Sequence, residues 1–198
     1  MSKFWKFLFF LSPLFVLLSL VSCLVPESTH VKPDYFLLSV INEDSNKTTK
    51  QQNNSFYLRE IELPKYLRDS RMICRPTPES IEFRESKRWG EPLEDGIARV
   101  LSQNLAHELS ATHFSIFPNR RKEHLVWDMS VSFTRFEITE SGKFIMIASW
   151  VLRDESSKKV TGSISDSFDF NFDGNVIEEV KAYSLALKNL ASRIAEDL

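Results

Sequence analysis

The chain is poor in the residues from which most small catalytic or cofactor sites are built. Its five glycines, at 90, 96, 142, 162 and 174, are too scattered to make a phosphate-cradling loop or a dinucleotide fingerprint. Gly162-Ser163-Ile164-Ser165-Asp166 lacks the closing glycine of a hydrolase elbow. The four histidines, at 30, 107, 113 and 124, are dispersed, and His107-Glu108 is followed at 111 by alanine, so the two-histidine zinc-protease pattern is missing. There are two cysteines, at 23 and 74, too few for a structural zinc site. No catalytic residue, metal ligand or bound cofactor is therefore assigned, and acid pairs such as Glu178-Glu179 read as exposed helix faces. A basic excess is lacking as well: 25 Lys and Arg stand against 27 Asp and Glu, a net charge of −2. Nucleic-acid binding needs a concentrated positive face, so that class is disfavoured.

One long apolar run is present. Phe7 to Val25 follows Lys3 and Lys6 and contains Leu20-Val21-Ser22-Cys23. Two lysines hold an amino end at the cytoplasmic face, an apolar segment enters the translocon, and small Ser22 gives a protease access to the bond before Cys23. Only a thiolate can take up a diacylglyceryl group as a thioether, so the pattern predicts a bacterial lipoprotein signal over 1–22 with cleavage between Ser22 and Cys23. Cys23 would carry the diacylglycerol and an N-acyl chain such as palmitate. The alternative is an uncleaved anchor, because 19 residues nearly match a membrane-spanning helix; Pro13 and the serines at 12, 19 and 22 weigh against it. Leu24 rather than aspartate after the cysteine favours the periplasmic face of the outer membrane over the inner membrane.

Cleavage leaves 176 residues, enough for one core, with 23 basic against 27 acidic residues. With Cys23 acylated, Cys74 has no partner for a disulfide and is expected to be a small buried hydrophobe. Residues 23–34, with Pro26 and Pro33, read as a tether reaching at most about 35 Å. The domain occupies 35–198. Tyr35–Ile41 and Phe56–Leu63 read as strands around a polar insertion at Asn42–Ser55, and Met72–Arg75 and Ile81–Glu85 as short strands about Pro76 and Pro78. Pro92 fits the first turn of a helix whose Leu93, Ile97, Val100, Leu101, Leu105 and Leu109 share one face. Gly96 within it is expected to mark a close approach to another element.

Leu125 to Phe133 alternates as a half-buried strand, and its phase slips near Arg135, where a β-bulge would absorb one residue. A turn at Glu140–Lys143 leads to Phe144–Leu152, apolar on both parities and so expected to be covered on both faces, and then to Ile164–Phe172; the three make an antiparallel meander. Val176, Val180, Tyr183, Leu187, Leu190 and Ile194 form the stripe of a last helix, opened by Asn175 and Glu178 as a capping-box variant. The fold class expected is α+β: a single domain with an antiparallel-rich sheet and two long helices on one face.

Asp34-Tyr35-Phe36-Leu37-Leu38, Ile61-Glu62-Leu63-Pro64-Lys65-Tyr66-Leu67 and Arg88-Trp89-Gly90-Glu91-Pro92-Leu93 occur in the order and spacing that resemble the ABC-type transport auxiliary lipoproteins of PqiC-like type. The likeness runs over roughly 20–198; it departs at Asn42–Ser55 and at Cys74. The resemblance implies a non-catalytic lipoprotein that works with an inner-membrane ABC transporter and a periplasmic protein bearing mammalian-cell-entry (MCE) domains in lipid movement between membranes. Homo-oligomerisation is a further implication. Tyr66, Trp89, Glu91 and Pro92 are the partner-binding candidates, each with a purely structural alternative as a strand end, core cap or corner filler. Two other functions remain open from the residues: an acyl-chain-binding periplasmic lipoprotein, compatible with the 16 phenylalanines, and a lipoprotein activator of a cell-wall synthase.

Overall fold

The computed structural model describes residues 31–41, 54–154, 156, 158–169 and 175–198. The signal segment, Cys23, the tether up to His30, the insertion from Asn42 to Asn53 and the strand end at Phe170 and Phe172 lie outside the described residues. Pro33–Leu198 forms one compact unit.

The unit is α+β and is organised around one strand. In chain order the elements are β1 (Asp34–Phe36), β2 (Phe56–Leu58), a 3-10 turn (Lys65–Arg68), β3 (Arg71–Thr77), β4 (Ser80–Trp89), α1 (Leu93–Glu108), β5 (Phe114–Ile116), β6 (Trp127–Thr139), β7 (Lys143–Arg153), β8 (Lys159–Asp169) and α2 (Val176–Glu196). Along one edge β6 pairs with β7, which pairs with β8, giving the expected meander. Along its other edge β6 is shared. Its start takes β2 in parallel, followed by β5, a lone bridge joins Glu62 to Ser132, and its end takes β3 in parallel, followed by β4 and β1. The three antiparallel pairings are the long ones and the parallel ones span only two or three residues each, so the sheet is mixed but antiparallel-rich.

The phase slip in β6 is a real bulge. Phe133 pairs with Ala148 but Arg135 with Ile147, which leaves Thr134 as the extra residue. Before it Met129, Val131 and Phe133 are buried; after it Phe136 and Ile138 take over on the same side. That side meets the helices. Tyr183 of α2 sits edge-on against Phe136, Phe144 and Trp89 at centroid distances of 5.0, 4.9 and 5.2 Å, and α1 adds Leu93, Ile97, Val100, Leu101 and Leu105 to the same core. Burial pushes the Tyr183 hydroxyl far above its ordinary pKa.

Several boundaries differ from the sequence reading. The first strand ends at Phe36 because Leu38 turns into the core, where the Arg99 guanidinium takes the Leu38 carbonyl and the Ser184 hydroxyl takes the Ser39 amide. The Phe56–Leu63 strand is regular only to Leu58 and then follows β6 through Arg59 and Glu62 amide bonds to the Met129 and Val131 carbonyls. The β3–β4 hairpin is longer than its apolar residues suggested, since exposed polar residues pair as well; the register shift between Cys74 and Thr77 accommodates Pro76, which has no amide to donate. Pro92 sits one position earlier than expected, as the residue capping α1. At Gly96 the tight neighbour of an added Cβ would be the side-chain end of Glu91 at the head of the same helix, 3.0 Å away, while Leu38 outside the helix would lie at an ordinary 3.5 Å. β7 has partners on both edges but only one covered face, with Ile145, Ile147 and Val151 half-buried on the side without helices. The Asn175 side chain accepts the Ile177 amide at the start of α2, while Glu178 meets Lys181.

β8 begins at Lys159, ahead of the Ile164 start read from the apolar alternation, and the added stretch holds a packing contact that periodicity cannot show. Gly162 lies opposite Trp150, and a Cβ on it would come within 2.3 Å of the indole and 2.6 Å of the Asp197 carboxylate. The indole Nε1–H donates to that carboxylate at 2.9 Å. Replacing Gly162 by alanine is expected to cost about 1–3 kcal/mol through overpacking, read by urea unfolding. In a Trp150→Leu background the same change should become neutral or mildly stabilising, because alanine otherwise exceeds glycine in strands.

At the start of β3 the Asp69 carboxylate accepts the Arg71 amide at 2.8 Å and two guanidinium bonds at 2.9 Å, which hold its pKa down at about 2 from 3.8. A carboxyl lowered in the folded state stabilises it above the unfolded pKa and loses that contribution as pH falls through the folded one. Between about pH 4 and pH 2, wild-type stability should therefore fall more steeply than that of Asp69→Asn in parallel acid titrations followed by circular dichroism.

Candidate functional site

The four partner-binding candidates do not form one patch. Trp89 ends β4 inside the core, 6% exposed, where it packs on Tyr183. Glu91 and Pro92 follow it at the head of α1; Pro92 is exposed and Glu91 reaches Arg99 at 2.5 Å. Tyr66 lies elsewhere. It is half-buried in the 3-10 turn after Pro64, and its hydroxyl donates to Glu137 Oε2 at 2.9 Å.

That bond leads to a cluster the sequence reading missed. Glu137 sits between Phe136 and Ile138, which face the helices, so its side chain projects to the other side of the sheet, yet it is fully buried. Arg75 of β3 donates from Nε to Oε1 at 2.5 Å and from Nη2 to Oε2 at 3.4 Å, and Arg135 of β6 donates from Nε to Oε1 at 2.8 Å. The Arg75 guanidinium also lies over the Tyr66 ring, 5.4 Å from its centroid. Its hydrogen bond to Glu137 raises the Arg75 pKa, and burial, reinforced by the bond to Glu137, raises that of Tyr66. Above these groups opens a cleft of about 790 Å³ lined by Tyr66, Arg75, Arg135, the two prolines of the β3–β4 turn region and the β6–β7 turn.

A second buried carboxylate corrects the reading of Glu178-Glu179 as a wholly exposed pair. Glu179 is fully buried and accepts two bonds from Arg84 Nη1, at 2.8 and 2.6 Å. Burial alone would lower the Arg84 pKa, but the Glu179 bonds outweigh it and the net change is upward. Cys74 lies beside Arg84 and is itself buried, which raises its thiol pKa and leaves it a poor nucleophile. Glu179 falls on the helix stripe, three residues after Val176 and four before Tyr183, and that placement was the available signal. For Glu137 the signal was an acid flanked by two core residues just after the phase slip.

Chemically, both carboxylates are locked in arginine pairs. Among the described residues no group of three or more His, Cys, Asp or Glu could hold a metal ion, and no helix is long and apolar enough to cross a membrane. A smaller, mostly apolar groove of about 470 Å³ lies between Ile41, Phe168 and the Ala182–Leu185 face of α2.

A family model described as "ABC-type transport auxiliary lipoprotein component" matches residues 36–195. The chain is 20% identical over 129 residues to the intermembrane transport lipoprotein PqiC of Escherichia coli K12, covering 65% of this chain and 67% of that protein, and equally to PqiC of Shigella flexneri. Among solved structures, an uncharacterised protein superposes with a TM-score of 0.69 at 15% identity over 83% of this chain and 97% of its own. A Xanthomonas campestris protein superposes at 0.62 with 12% identity over 82% and 92%. These two establish a shared fold.

Removing one side of a buried ion pair leaves the other uncompensated, whereas replacing both by apolar residues need not destabilise. Arg84→Met should cost about 3–5 kcal/mol, and Arg84→Met with Glu179→Leu should recover most of that, as read by denaturant midpoints.

Proposed function

Because this chain belongs to the ABC-type transport auxiliary lipoprotein family, we propose that it is a non-catalytic lipoprotein component of an ABC/MCE-type lipid transport system linking inner and outer membranes. The observation that carries this reading is the family match over nearly the whole domain, joined to the Leu20-Val21-Ser22-Cys23 signal ahead of it. Cys23, acylated by a diacylglyceryl group and an N-linked chain, holds the protein on the periplasmic face of the outer membrane. Two or more chains are required, since one acyl chain gives only marginal binding. The tether lets the domain stand off the bilayer and anchor the end of a conduit built from a periplasmic MCE-domain protein and fed by an inner-membrane ABC transporter. Oligomerisation would multiply the anchors. Tyr66, Glu91 and Pro92 keep surface for such a partner, with Trp89 supporting the Glu91-Pro92 turn from within.

A second reading, an acyl-chain-binding lipoprotein, is favoured by the apolar groove at Ile41, Phe168 and Leu185. Native mass spectrometry separates the two: a copurifying lipid lost on Leu185→Glu supports a carrier, and a lipid-free domain supports an anchor.

Labelled palmitate should enter the wild-type protein and not Cys23→Ser, and the variant should leave the membrane fraction. A photo-crosslinking residue at Pro92 should trap an MCE-domain protein in intact envelopes. Trapping a cell-wall synthase with no transporter component would overturn the assignment.

A further inference from the structure

The floor of the cleft beside the Tyr66–Glu137 cluster carries unbalanced charge, which Glu140 at the exposed rim brings to neutrality over the lining as a whole. Two guanidinium groups converge on one buried carboxylate, so that floor holds a surplus of one positive charge. The two arginines are not equivalent. Arg75 uses every nitrogen, with Nε and Nη2 on Glu137 and Nη1 on the Pro78 carbonyl at 2.8 Å. Arg135 spends only Nε on Glu137; among the described residues its two terminal nitrogens have no partner, and its side chain is 32% exposed where it lines the cleft. Glu137 thus fixes the Arg135 fork in place while leaving its outward end unused. A fork held in advance loses little freedom when it binds.

We propose that this cleft binds a phosphate group through the outward edge of the Arg135 guanidinium. A guanidinium edge matches two phosphate oxygens in a bidentate pair. Thr77 and Thr134 also line the cleft, their hydroxyls engaged with Ser80 Oγ and the Ile147 carbonyl, while Pro76, Pro78 and Ile145 give an apolar side for an organic substituent. The volume suits a small ligand. Glu140 is the one carboxylate among the lining residues, and it stands exposed at the rim, where solvent and salt screen it. The bulge supplies the geometry: by shifting the pleat it turns Arg135 and Glu137, two residues apart, to the side of β6 away from the helices, with Thr134 out of the ladder register and its hydroxyl on the Ile147 carbonyl. Phosphate binding here is independent of acylation at Cys23.

Two sources share this chemistry, free phosphate and a phospholipid headgroup. Calorimetric titration of the full chain in maltoside detergent, with inorganic phosphate and with glycerophosphoglycerol as a deacylated headgroup, distinguishes them. Each should bind at one site and compete with the other; tighter binding of the diester identifies a headgroup, and tighter binding of the inorganic ion identifies free phosphate. Arg135→Gln should weaken both by at least about tenfold. Ser141→Asp, on the exposed turn at the rim and away from Glu137, should weaken both by about threefold or more through added negative charge, and it decides the matter if Arg135→Gln fails to fold. No binding of either probe up to about 10 mM, or wild-type affinity in the folded Arg135→Gln protein, overturns the proposal.

Discussion

One extra residue in β6 determines what each side of the sheet can do. Thr134 shifts the pleat by one position, so the apolar set that begins at Met129 continues at Phe136 and Ile138 under the helices, and Glu137 is turned to the opposite face. Without that shift the acid would point at Tyr183 in the driest part of the core, where an unpaired carboxylate is very costly. With it, the same residue gathers Arg75, Arg135 and Tyr66 from three separate segments of the chain. The 3-10 turn, the end of β3 and the end of β6 are thereby fixed to one another on the side that has no helix to cover it.

The β3–β4 hairpin shows why this matters. Its ladder to β6 consists of two residue pairs, Cys74 with Ile138 and Arg75 with Thr139. Side chains do the remaining work: Arg75 of one strand grips Glu137 on β6, and Arg84 of the other grips Glu179 on α2. The hairpin is held to both layers by ion pairs at its two sides, with Cys74 packed between. Such pairs add modest net stability, because desolvation offsets most of their attraction, but they penalise every arrangement that separates them. A short parallel contact benefits from that kind of constraint, since two backbone pairs alone would tolerate slippage.

Hydrophobic spacing made much of this fold legible. The stripes of α1 and α2, the meander, the bulge near Arg135 and the α+β class could all be read from residue order, because each places many side chains on one face. The parallel joins could not, since a three-residue strand such as Phe56–Leu58 has too few positions to display a period. Nor could the ion pairs, whose members lie 62 and 95 residues apart and leave no local pattern. Tyr66 was singled out for the company it keeps in sequence, and its hydroxyl does touch the Glu137 cluster. Trp89, chosen by the same reasoning, serves the core; an aromatic in a distinctive patch does not reveal by itself which way it faces.

The Trp150–Gly162–Asp197 contact joins the middle of a hairpin to the final turn of α2 through a single indole. With the other three tryptophans replaced by phenylalanine, Trp150 would serve as an intrinsic optical probe of whether the carboxy-terminal helix is seated on the sheet, with no label to attach.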